Sequence, residues 1–321
     1  MIERKRILIT GASGFVGTNF LARLHGRAEV DLTAVYHSHR PQVLHDGVRY
    51  VHADLTDRTS CQEVCEGAEW VCHFAGKLST TAVMATSPVG PLAENAAIHT
   101  NVLEAASRSG VEKLLLLSST TGYPASSEPL SEEAFFGEDP PTPYEPVGWL
   151  SRFVEKVSEQ YVRKASSPET VIALRPTSIY GPHDDFEFET CHALPAMIRR
   201  VVERHHPIEV WGSGEDGRDL LYVGDLVDAC MLALERCNGF SAYNVGAGAS
   251  STINEILDLL IDLDGYSDAK VVHDLARSRH VSVRTFDCSR ALNQLGFKAS
   301  TSLEAGLRET LEWYRSSLLA V

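Results

Sequence analysis

The sequence lacks any long apolar run. No stretch approaches the roughly 20 consecutive apolar residues of a membrane-spanning helix, so no membrane association is expected. Positive charge is in short supply: 29 Lys and Arg stand against 43 Asp and Glu, for a net charge of −14. That balance argues against general nucleic-acid or anionic-membrane binding. It leaves room for a small anion, because a few arginines and a helix N-terminus can hold a phosphate. Matched cysteines are missing too. The 7 cysteines are an odd, scattered set. Cys61 and Cys65 share a helical spacing, but no Cys/His pair follows at metal-site spacing, so reduced thiols and no metal are expected. Behind the charged Glu3, Arg4, Lys5 and Arg6, the apolar run covers only residues 7–9, too short for a secretory signal. A cytoplasmic, reducing location is the expectation. There is no internal repeat and no low-complexity segment.

What is present reads as a layered α/β protein. Apolar residues make up 44% and charged residues 22% of the chain, an ordinary globular balance. Apolar runs at 6–10, 32–36, 48–52, 70–74, 113–118 and 170–174 predict strands. Helical stretches near 15–24, 60–65, 92–109 and 147–164 fall between them. This alternation predicts a doubly wound parallel sheet with helices on both faces. The Leu114–Leu117 run has no polar side, as a strand buried on both faces requires. Beyond Arg175 the pattern loosens, with helices predicted near 194–204, 224–236, 253–263 and 303–314. The chain is longer than one small core needs. A division into residues 1–174 and a smaller mixed lobe, 175–321, is therefore expected, with some crossing between them. The Pro-, Ser- and Glu-rich stretch 124–146 is expected as a surface loop.

The first chemical signal is Gly11-Ala-Ser13-Gly14-Phe15-Val16-Gly17, directly after the first strand and opening a helix. In a Rossmann turn the first glycine permits the tight turn, the second lets backbone approach a pyrophosphate, and the third lets helix and strand pack closely. The helix N-terminus then faces the phosphate charge. Strand, turn and helix agree here, so a dinucleotide site is predicted. An NAD-binding domain usually carries an acid at the end of its second strand, for the ribose hydroxyls. This chain has Tyr36-His37-Ser38-His39-Arg40 instead. His37 and Arg40 can accept a 2′-phosphate that a carboxylate would repel. NADP is the expected cofactor, with NAD as the alternative; the competing reading makes both residues simple solvated loop positions. Asp54 and Leu55 are placed for the adenine. Ala75, Gly76 and Lys77 follow the fourth strand, where small residues leave room for ribose and phosphates.

Together with His73-Phe-Ala-Gly76, Asn95, Asn101-Val-Leu-Glu-Ala-Ala106, Ser118-Ser119-Thr-Thr-Gly-Tyr123 and Arg175-Pro-Thr-Ser-Ile-Tyr180-Gly-Pro182, this turn resembles the extended short-chain dehydrogenase/reductase family. Within it the chain is similar to the nucleotide-sugar epimerase/dehydratase branch, and there to the GDP-fucose synthetase group. The motifs span nearly the whole chain. The resemblance implies cofactor contacts from Pro176 and Ile179. It implies catalytic positions at Ser119, Thr121 and His192, and substrate-lobe positions at His183, Arg200, Trp211 and Arg218. It also implies a homodimer built on the helices 92–109 and 147–164. Phe153, Val154, Val157 and Tyr161 form an apolar stripe for that interface or for the core.

The resemblance breaks where the family's proton chemistry resides. A Tyr-x-x-x-Lys pair belongs on the helix after the fifth strand, four residues apart on one face. Here Val147 and Ser151 occupy those positions, and neither titrates usefully. A one-residue slip offers Gly148 and Arg152, a cation without a phenol; Tyr144 pairs only with Gly148. Thr121 stands where the group carries a cysteine, and a hydroxyl is a much weaker acid. Lys77, Tyr123, His183 and Asp184 are the candidate stand-ins. The expected activity is reduction or epimerisation of a nucleotide sugar, GDP-linked by the same resemblance. The alternatives are a catalytically silent NADP(H)-binding sensor or scaffold, and an enzyme for a small carbonyl compound.

Overall fold

The structure is a computed structural model that describes residues 4–77, 87, 89–277 and 285–319. Six predicted strands form β1 (Lys5–Thr10), β2 (Val30–Tyr36), β3 (Val48–His52), β4 (Trp70–His73), β5 (Lys113–Leu117) and β6 (Thr170–Pro176). They pair in parallel, in the order β6-β5-β4-β1-β2-β3. Leu114, Leu115 and Leu116 of β5 are all buried, and they alternate between the apolar clusters on the two faces of the sheet.

One face is covered by α1 (Phe15–Leu24), which buries Val16, Gly17, Phe20, Leu21 and Leu24. The other carries α2 (Arg58–Cys65), α3 (Gly90–Arg108) and α4 (Glu145–Lys164). Proline in the first turn of α3 and of α4 suits a position whose N–H has no helical partner. The apolar stripe of α4 divides. Val154 belongs to the core and Val157 and Tyr161 pack against it, whereas Phe153 stays exposed.

Beyond β6 come β7 (Ser178–Tyr180), α5 (Ala193–Val202), β8 (Ile208–Trp211), β9 (Gly217–Arg218) and β10 (Leu220–Tyr222). They are followed by α6 (Val223–Arg236), β11 (Gly239–Val245), β12 (Ser251–Thr252), α7 (Ile253–Asp264), β13 (Val271–Asp274) and α8 (Leu303–Leu319). The strand β11 pairs in parallel with β6 and becomes the seventh strand of the main sheet. The helix α6 packs beside α1 on the same core, through Leu226, Cys230 and Leu234. A separate apolar cluster joins α5, α7 and α8 through Ile198, Ile256, Leu260, Leu307 and Leu311.

The segment 124–146 departs from expectation. It is not a plain surface loop: Leu130 and Phe135 are buried with Tyr123 in a cluster of their own, and Phe286 packs against it. Its polar composition conceals these two anchors. Leu130 also exchanges backbone hydrogen bonds with Thr285 and Asp287.

Candidate active site

Strand order reverses between β1 and β4, and ligands of such sheets bind beyond the carboxyl ends at that point. Gly11 follows β1 with φ +68°, and a Cβ there would meet Ala75 N at 2.7 Å. A Cβ on Gly17 would lie 2.2 Å from the Gly11 carbonyl oxygen, so the first turn of α1 rests directly on the loop. Gly14 caps α1 without a side-chain hydrogen bond, and no acid lies in the first turn. The unpartnered N–H groups of this turn and its lack of negative charge fit a pyrophosphate. Ser13 and Phe15 are half-buried around it, and Gly14 is exposed. The Asn19 side chain donates to the Pro182 carbonyl at 2.9 Å, tying α1 to the turn after β7, the strand that carries Ile179.

At the second strand's end, His37 is exposed and its Nε2 lies 3.9 Å from Asp54 Oδ2. The other Asp54 oxygen accepts the Thr56 N–H and hydroxyl at 2.9 and 2.8 Å. Those bonds hold the Asp54 carboxyl below its usual pKa. Arg40 is exposed on the same loop, and Leu55 is buried. Both asparagines of α3 brace these loops. Asn101 donates to the carbonyls of Leu55 and Thr56, and Asn95 clamps the Lys77 backbone at both its N–H and its carbonyl.

A cavity of about 220 Å³ opens beside Gly76 and Lys77. Ala75, Ser118, Ser119, Val147 and Ser151 line it, together with His99 of α3. Val147 and Ser151, the residues expected at the Tyr/Lys positions, thus share one chamber with Ser119. Ser151 donates to the Val147 carbonyl one turn back, at 3.0 Å. Ser119 Oγ accepts the Thr121 N–H and hydroxyl at 3.2 and 2.9 Å, which couples the two hydroxyl candidates. The Lys77 ammonium reaches Glu94.

Burial decides one stand-in, Tyr123, and the one-residue slip to Arg152. Tyr123 is fully buried, and its hydroxyl donates to Asn244 Oδ1 at 2.5 Å while accepting from Arg175 at 2.8 Å. Burial raises its pKa to about 12. It is a packing residue, not the missing phenol. Arg152 is also buried; it donates to the carbonyls of Gly122 and Glu138 and is absent from the cavity lining, so the one-residue slip restores nothing.

Sequence reasoning missed the lock behind the cavity. Glu155 of α4 and Arg175 of β6 form a fully buried bidentate pair. The Ser118 hydroxyl donates to the same carboxylate at 2.5 Å. Burial works against the Arg175 charge, but Glu155 outweighs it and the guanidinium's pKa is raised. The pair is 20 residues apart, so no local spacing announces it.

The substrate-lobe candidates lie outside this chamber's lining. His192 caps α5 with its backbone, without a side-chain cap bond, and desolvation lowers its pKa. Arg200 lies over the Phe188 ring at 5.0 Å, and desolvation lowers its pKa. Trp211 is exposed, donates to Glu209 at 3.1 Å and carries the Arg277 guanidinium over its ring. Arg218 sits in β9, half-buried, 3.9 Å from Asp216. His183 has φ 69° and packs against Trp313 at 4.9 Å.

This geometry can be set beside known proteins. The family model described as NAD dependent epimerase/dehydratase family matches residues 7–246. The chain belongs to that family. Among curated relatives, Putative GDP-L-fucose synthase 2 of Arabidopsis thaliana is 30% identical, over 99% of this chain and 94% of its own length. GDP-L-fucose synthase of Escherichia coli is also 30% identical, over 98% of this chain and 97% of its own. Among solved structures, UDP-glucose 4-epimerase of Thermotoga maritima, crystallised with UDP-glucose, superposes with a TM-score of 0.85 at 25% identity, covering 98% of this chain and 99% of its own. MoeE5, solved with UDP-glucuronic acid and NAD, reaches 0.84 at 27% identity, over 97% and 99% of the two chains. The expected doubly wound sheet and family are thus both found.

Proposed function

We propose that the chain is a nucleotide-sugar reductase or epimerase that uses NADP(H) at an atypical active site. The observation that carries this reading is the chamber joining Ser119 and the Gly76–Lys77 turn to α4, beside an uncapped helix N-terminus. The bound dinucleotide supplies or accepts hydride. Ser119 is positioned to hydrogen-bond the reacting sugar oxygen. His192 serves as an acid/base and Thr121 supports Ser119. Arg200, Arg218, Trp211 and His183 belong to the nucleotide-sugar side. His37 and Arg40, with no acid on the β2 loop, favour the 2′-phosphate of NADP. The GDP-L-fucose synthase relatives favour a GDP-linked sugar. The reading includes a soluble homodimer formed through α3 and α4, and a division of labour between residues 1–174 and 175–321.

The test is incubation of the protein with NADPH and a panel of 4-keto nucleotide sugars in deuterated water, read by mass spectrometry. A mass gain for reduction or solvent exchange is expected. No change across the panel, with cofactor bound, refutes the nucleotide-sugar reading and favours a silent binder or a different substrate class. His192→Asn is expected to impair turnover, and unchanged turnover removes His192 from the mechanism.

A second reading rests on Val147 and Ser151 facing the chamber: a silent NADP(H) sensor or scaffold. It predicts that sugar reduction emerges only in the Val147→Tyr, Ser151→Lys double variant.

A further inference from the structure

The chamber lined by Val147 and Ser151 has a further lining residue that the family motif does not provide. His99 of α3 lines the cavity and is tied at its back to a buried row of polar groups. Its Nδ1 lies 2.9 Å from His73 Nε2, and His73 Nδ1 lies 2.7 Å from Thr10 Oγ1. The Ala75 N–H donates to the same Thr10 oxygen at 3.3 Å. Thr10 and His73 are almost wholly buried, at 0% and 2% exposed. The row starts at the end of β1, crosses the end of β4 and finishes at the chamber.

The protons in this row follow from the requirement that buried polar groups be paired. Among the described residues the Thr10 hydroxyl has no acceptor other than His73 Nδ1. An unpaired buried hydroxyl is costly, so Thr10 donates to Nδ1. His73 then carries its proton on Nε2 and donates to His99 Nδ1. The remaining proton of His99 must sit on Nε2, the nitrogen not used by His73. Burial holds the His99 imidazole at a pKa of about 4, so the ring is neutral at ordinary pH. A neutral imidazole N–H can polarise a carbonyl oxygen.

We infer that His99 is the proton-donating group of this active site, standing in for the absent phenol, with His73 and Thr10 as the residues that position it and fix its tautomer. The inference rests on the reading of the chain as a nucleotide-sugar oxidoreductase and supplies its missing acid. A bound reduced nicotinamide would supply hydride to the substrate's carbonyl carbon, and the C=O π pair would move to oxygen. That oxygen would take the proton from His99 Nε2, leaving an imidazolate that takes a proton from water and releases hydroxide to solvent.

Two measurements test it. The first compares the parent, His99→Ala and His99→Gln on a 4-keto nucleotide sugar that the parent reduces, with melting temperature and NADPH binding as folding controls. Loss of kcat by about 10²–10⁴-fold is expected for His99→Ala, partly restored by added imidazole, which the vacated space admits. A structural role would not show that rescue. The second needs no turnover. In ¹⁵N-histidine NMR of the parent, the ring signals absent from His99→Gln are expected to shift when NADP⁺ and GDP are added. Unchanged kcat in folded His99→Ala, loss without rescue, or ring signals that stay in place each overturn the assignment while the oxidoreductase reading stands. A parent inactive on the whole panel overturns both.

Discussion

A methyl group at position 17 would lie 2.2 Å from the backbone oxygen of Gly11, with no flexible side chain to move aside. Gly17→Ala must therefore lift the first turn of α1 away from the phosphate-binding loop. The expected result is a lower melting temperature, by about 1–3 kcal/mol of stability or more, with a larger loss of dinucleotide affinity in calorimetric titration. Affinity equal to the parent's would mean that the turn does not hold the cofactor. Asp184 gives a second residue-level prediction. One of its oxygens accepts the Asp185 N–H at 2.8 Å, and the other is buried without a hydrogen-bond partner among the described residues. Burial raises its pKa to about 7, against roughly 3.9 in an unfolded chain. The native state therefore holds this proton longer than the unfolded state does. The group's contribution to stability is greatest at low pH and is lost as pH rises from about 4 through about 7. Asp184→Asn stays neutral, so its melting temperature should gain on the parent's between pH 4 and pH 8. A gap that is constant with pH would show that the carboxylate is accommodated.

At the scale of elements, the Glu155–Arg175 pair locks α4 to β6 and, through Ser118, to the loop after β5. Removing one partner leaves an uncompensated buried charge. Arg175→Met should cost about 3–5 kcal/mol in urea denaturation. Adding Glu155→Leu should recover much of that loss, because the stranded carboxylate is gone. Equal destabilisation by the double variant would mean that packing, not charge, dominates. These elements also show how much of the fold the sequence made legible. Six strands and the helices between them were readable because each carries its own period and is bounded by its own breakers; β3 matches its expected span, 48–52. The segment 124–146 was not, since two buried residues, Leu130 and Phe135, decide its path and the polar majority conceals them. The dinucleotide turn was legible because its glycines act within one short stretch. His99 was not, because its meaning depends on His73, 26 positions away.

For the whole molecule, the proposed dimer makes the sharpest demand. Trp149 and Phe153 lie four apart on α4 and are 47% and 48% exposed, while the rest of the stripe is turned inward. The parent should sediment as a dimer, and Phe153→Glu as a folded monomer; a monomeric parent removes the dimer from the reading. The seventh strand bears on how the molecule is made. Until Gly239–Val245 has been synthesised, β6 presents an open row of amide and carbonyl groups, and α1 lacks the cover that α6 gives it. An exposed strand edge is a template for pairing with another chain. The nascent first half therefore passes through a window in which it is complete in its ligand loops yet sticky at its border. A nonsense mutation between β6 and β11 should yield inclusion bodies rather than a small soluble cofactor-binding fragment, and the protein's yield in cells should depend on how quickly the ribosome covers the distance from β6 to β11.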